Sequence, residues 1–120
     1  DVGYGSSSIK VESGDSTIKI PTTTVDRLVA NGVCPPPNVV KIDVEGAEPL
    51  VIEGMEKILS ASNCRVVFCE IHLSGVDRRP SVDDFGSSPD ELISKLECFG
   101  YTTEKIGTSS ESEITIKATK

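Results

Sequence analysis

Two short stretches hold the residues whose types and spacing could do chemistry. NVVKIDVEGAEPL, residues 38–50, sets Lys41, Asp43, Glu45 and Glu48 directly behind an apolar run, and RVVFCEIH, residues 65–72, ends on Glu70 and His72. Histidine is the side chain best suited to take a proton near neutral pH. Strand alternation places Lys41, Asp43 and Glu45 on one side of the first stretch, and Phe68, Glu70 and His72 on one side of the second. Two such strands lying side by side would gather Asp43, Glu45, Glu70 and His72 at one rim. In a parallel α/β sheet, ligands bind at that rim, beyond the carboxyl ends of the strands.

Each of these residues also has a plainer reading. Glu48 falls in the first turn of an expected helix, where exposed amides and the helix dipole favour an acid. Asp43 lies within the strand run, where an ionised carboxylate is costly unless bound or paired, so a buried pair with Lys41 or a cap for the turn competes with chemistry. His72 reads alternatively as an ordinary loop-facing side chain. Glu70 and His72 together have the mixed donors of a divalent-cation site, but spacing alone does not show one, and no metal site is assigned.

The elements that must position these groups follow from periodicity. SIKVESGDSTIKIP, residues 8–21, alternates around a turn-forming SGDS and predicts an edge hairpin. Thr23 or Thr24 should cap a short helix over about 24–31 that stops at Gly32. Residues 38–44, between prolines and Gly46, predict a strand buried on both faces, and one helix should follow from Ala47 through Leu59 with Pro49 in its first turn. Residues 65–71 predict a second buried strand, then a polar loop, LSGVDRRPSVDDFGS, too charged for core and long enough to be a lid. Ser88-Pro89-Asp90-Glu91 reads as a capping box opening a helix that Gly100 ends, and YTTEKIG with SEITIKAT predicts a closing antiparallel hairpin. This order gives an α/β fold with parallel strands, crossover helices and a C-terminal antiparallel hairpin.

The 120 residues suffice for one domain with a core. Nineteen acidic against twelve basic residues, a net charge of −7, oppose nucleic acid and anionic membranes as partners. No apolar run approaches the ~20 residues of a membrane span, so a soluble, cytoplasmic protein is expected. Cys34, Cys64, Cys69 and Cys98 are spaced like neither a metal site nor a disulfide framework and are expected to be reduced thiols packed as small apolar residues.

TTTVDRL, VVKIDVEGAEPLVIEGMEKIL, VVFCEIH and a helix ending in FGY together resemble the FkbM-type methyltransferases over about residues 18–103. The resemblance implies a Rossmann-like methyltransferase fold and S-adenosylmethionine-dependent methylation of a hydroxyl on a sugar or other natural product. It implies that Asp43 and Glu45 line the acceptor side, while Glu70 and His72 orient or deprotonate the acceptor hydroxyl. Enzymes of this family hold the cofactor on a glycine-rich turn after their first strand, well upstream of the KIDVEG segment. Only 37 residues precede Asn38, too few for two βα units, and residues 1–7, whose DVGYG imitates such a turn, are expected to be a flexible linker.

The chain is therefore expected to be the C-terminal, acceptor-side part of the domain, a partial Rossmann-like fold lacking the cofactor-binding motif and inactive alone. Its first strand would then expose an edge of Val39, Val40 and Ile42 to a second copy, making a homo-oligomer possible. The alternative is a non-catalytic α/β module that binds a protein partner through that edge.

Overall fold

The structure, a computed structural model, describes residues 19–75 and 79–120, and the side chains of 108–110 are not described. The linker expected over residues 1–7 and most of the hairpin expected over 8–21 lie outside these residues. Ile20, at the end of that hairpin, is exposed and outside any strand.

Elements run in the order α1 (Val25–Ala30), β1 (Val39–Ile42), α2 (Glu48–Glu53), α3 (Glu56–Ser60), β2 (Val66–His72), a 3₁₀ turn (Val82–Phe85), α4 (Pro89–Cys98), β3 (Thr102–Ser110) and β4 (Glu113–Thr119). The sheet order is β1-β2-β4-β3. β1 and β2 are parallel, with Lys41 opposite Phe68 and Ile42 opposite Cys69; β4 runs antiparallel to both β2 and β3. The result is a mixed α/β fold in which the crossover and the closing hairpin match expectation.

One face of the sheet is covered. Ile42, Val67, Cys69, Ile71, Ile116 and Ala118 pack against Ile52, Met55, Ile58, Leu59, Leu92 and Leu96 from the helices. The other face carries Lys41, Phe68, Glu70, Thr115 and Lys117, none of them buried. The strand expected to be buried on both faces is thus buried on one, and Val39 is 59% exposed, because no described helix lies over that side.

Two further expectations are corrected. The single helix expected from Ala47 to Leu59 is two, broken at Gly54 and Met55. Asp26 explains the break: its backbone amide donates to the Gly54 carbonyl (3.1 Å), and its carboxylate accepts from the amides of Lys57 and Ile58 (3.0 Å each), starting α3 afresh. The loop expected to be too charged for core buries Ser81 and Val82, and Ser81 and Asp84 tie its 3₁₀ turn together, the Ser81 amide donating to Asp84 Oδ2 (2.8 Å).

Thr24 caps α1 by accepting from the Arg27 amide, and Ser88 caps α4 by accepting from Glu91. Cys64 and Cys69 are packed as expected, whereas Cys98 is exposed on the outer side of α4. Among the described residues no helix is long and apolar enough to cross a membrane.

Candidate active site

The turn from β1 to α2 builds the site. Gly46 takes φ +99°, and a Cβ there would lie 2.6 Å from the Pro80 carbonyl carbon, so only glycine lets the 79–81 backbone close over this turn. The preceding Glu45 takes φ +51°, a left-handed conformation rare for a residue of its kind. The turn then folds the Glu48 side chain back beneath itself.

Glu48 is completely buried. Its Oε1 accepts from the Gly46 amide (3.1 Å) and from the Val44 amide at the limit of hydrogen bonding (3.4 Å), and it lies 2.9 Å from His72 Nδ1. Its Oε2 has no hydrogen-bond partner among the described residues. Glu48 does open the first turn of α2, as its position suggested. Its carboxylate, however, serves a buried contact with β2.

His72 is buried at the end of β2, so the reading of it as an ordinary loop-facing side chain is corrected. Strand alternation gives way there, Ile71 and His72 both being buried, because Glu48 covers the ring from one side and β4 from the other. Its Nε2 lies 3.5 Å from Oε2 of Glu113, which stands directly opposite it on β4.

Asp43 lies just past the end of β1, and it is exposed where the sequence suggested a strand interior. It pairs with Lys41 (3.1 Å), itself largely exposed, so the pair is a surface contact worth little to folding and not the buried pair of the alternative reading. That hydrogen bond from Lys41 lowers the Asp43 carboxyl below its ordinary range, opposed by desolvation and aided by a side-chain hydrogen bond with Glu70. The rim therefore brings Asp43, Glu70 and His72 together. Glu45 stands apart, joined to none of them by a hydrogen bond or ion pair among the described residues.

Residues 1–103 match the methyltransferase FkbM domain. The chain belongs to the FkbM methyltransferase family. The match begins earlier than the resemblance traced from residue 18 and takes in the segment expected to be a linker. It ends within β3, so the FkbM match holds Glu48 and His72 but not Glu113. A curated relative of this FkbM chain is "Hexuronic acid methyltransferase AglP" of Haloferax volcanii, 47% identical over 65 residues, which is 54% of the chain. The matched part spans 26% of that relative's length. No solved structure matches the chain.

Of the candidate site residues, the sequence left out Glu113 and read Glu48 only as a first-turn acid of the helix. An acid two positions after a turn glycine can fold back onto the turn's amides, a signal that could have marked Glu48. Glu113 required the β2–β4 register, which no local pattern supplies.

Proposed function

We propose that this FkbM chain forms the acceptor side of a Rossmann-like, S-adenosylmethionine-dependent O-methyltransferase that acts on a hydroxyl of a sugar or another small natural product. The observation that carries this reading is the buried His72, held on Glu48 and facing Glu113 at the carboxyl end of a parallel strand, with Asp43 and Glu70 beside it. Methylation of a hydroxyl demands that the oxygen be oriented and its proton removed. His72 takes the proton. Asp43 and Glu70 accept hydrogen bonds from neighbouring hydroxyls of the acceptor, and Glu45, on a strained exposed turn, contacts its outer part. The name of the Haloferax relative supports a sugar-type acceptor.

The described residues do not fit the cofactor itself. Its carboxylate calls for free backbone amides at a strand-to-helix turn, yet the β1–α2 turn directs its Val44 and Gly46 amides to Glu48. The chemistry these residues support is confined to the acceptor hydroxyl.

The test is methyl transfer from labelled S-adenosylmethionine to a panel of glycosides, uronic acids included, by the protein that carries this chain. His72→Ala should lower turnover by about 10²-fold or more while the fold persists. Turnover within a factor of two of the unaltered protein, or no transfer to any hydroxyl acceptor, would sink the assignment. A second reading, pairing through the β1 edge, is favoured by the position of β1 at the border of the described sheet with Val39 exposed. Sedimentation at increasing concentration separates the two, since Val39→Lys should abolish any dimer without touching methyl transfer.

A further inference from the structure

We propose that Glu48 is the positioning residue of this site: it holds neutral His72 as the Nδ1–H tautomer and so turns a lone pair on Nε2 toward the acceptor hydroxyl. The inference rests on the reading of His72 as proton acceptor and specifies how the fold prepares it. Glu113, outside the family match, faces the Nε2 that receives the proton.

The tautomer follows from the partners of one atom. Glu48 Oε1 receives the backbone N–H of Gly46 at 3.1 Å and that of Val44 at 3.4 Å, so its lone pairs face donors. With that oxygen acting as acceptor, His72 Nδ1, 2.9 Å from it, takes the donor role. With the single proton of a neutral imidazole on Nδ1, Nε2 is the acceptor. The charged atom facing Nε2 is Glu113 Oε2 at 3.5 Å, longer than an ordinary N–H···O bond. A hydroxyl has one proton to donate, so it gives it to Nε2, and Glu113 stands ready to accept from the Nε2–H that forms.

The proton step then balances. The O–H bond breaks, its proton goes to Nε2, and its electron pair stays on oxygen. The imidazolium that forms keeps Nδ1–H on Glu48 and directs the new Nε2–H toward Glu113, so each end of the cation faces a carboxylate. Burial of the ring makes these contacts stronger than they would be in water.

His72 is the single histidine of the chain, so its two ring nitrogens can be read without ambiguity by ¹⁵N NMR. At a pH where the ring is neutral, the unaltered chain should show a protonated Nδ1 and an unprotonated Nε2. Glu48→Gln keeps a carbonyl oxygen that the same two amides must face, and it should retain this tautomer. Glu48→Leu, similar in volume but without an acceptor, should swap the two signals, because Glu113 becomes the remaining acceptor. An Nε2–H ring in the unaltered chain overturns the inference, as does an Nδ1–H ring in folded Glu48→Leu. Should Glu48→Leu fail to fold, the unaltered chain and Glu48→Gln still decide. The spectra need no substrate, so an Nδ1–H ring in a protein that methylates no hydroxyl would refute the proposed function and leave the tautomer assignment standing.

Discussion

Replacing Gly46 by alanine tests whether the site turn is held shut by the loop above it. Two costs add. A residue with a side chain at φ +99° is strained by about 1–3 kcal/mol. The new methyl would lie 2.6 Å from the Pro80 carbonyl carbon, 2.7 Å from its oxygen and 2.8 Å from the Ser81 nitrogen, all backbone atoms that cannot rotate away. Overpacking of this kind costs about 1–3 kcal/mol more, so the total is roughly 2–6 kcal/mol. That is a large part of the ~5–15 kcal/mol that holds a domain together. With a urea dependence of about 1–3 kcal/mol per molar, the unfolding midpoint followed by circular dichroism should fall by about 1 M or more. Gly86→Ala is the control: φ is +73° there, but nothing lies within 4 Å of the added methyl, so only the conformational cost of about 1–2 kcal/mol applies. If Gly46→Ala costs no more than Gly86→Ala, the 79–81 segment does not rest on the turn and the geometry argued for Glu48 loses its support.

Asp26→Ala removes the acceptor of two amides at the start of α3 and should cost about 1–3 kcal/mol, measured by chemical unfolding; a loss below a few tenths would show that the helix break has another cause. Burial pushes the Cys69 thiol up to about 12 from an ordinary 9.0, aided by the nearby charges of Glu48, Asp43 and Glu70. The folded chain thus holds that proton longer than the unfolded one, and its contribution is complete below pH 9.0 and lost as pH rises toward about 12. Near pH 8, a thiol reagent should modify exposed Cys98 and spare Cys69 until the chain is unfolded, and rapid modification of Cys69 in the native chain would contradict this. Glu45→Gly relieves the left-handed turn and should leave stability unchanged or raise it by up to about 1 kcal/mol, with acceptor affinity reduced; a clear loss of stability would mean the Glu45 side chain supports the fold.

Local patterns in the chain marked most of the elements. β2 and the closing hairpin follow from alternation, α4 from Ser88, Pro89 and the Leu92–Leu96 stripe, and the parallel β1–β2 pair from the crossover between them. What the pattern hid was decided by contacts distant in sequence. The break at Gly54 depends on Asp26, on another helix. A charged loop buries Val82 because Gly46 leaves room for the backbone beside it. The candidate site divides the same way: Asp43, Glu70 and His72 were legible as a rim, while the burial of Glu48 and the approach of Glu113 arise only when the turn and the sheet are closed.

The place of β4 between β2 and β3 has a consequence for how the protein is made. As a ribosome extends the chain, β1 and β2 can pair early with the helices that join them, but β2 keeps an open edge until residues 113–119 emerge and slot in beside it. During that interval Val67, Cys69 and Ile71 sit on an unpaired strand, a surface that chaperones recognise and that other nascent chains can join. The same insertion delivers Glu113 to His72. A chain that stops short of β4 therefore carries two defects at once: an unpaired β2 edge open to other strands, and a His72 without the carboxylate that faces it.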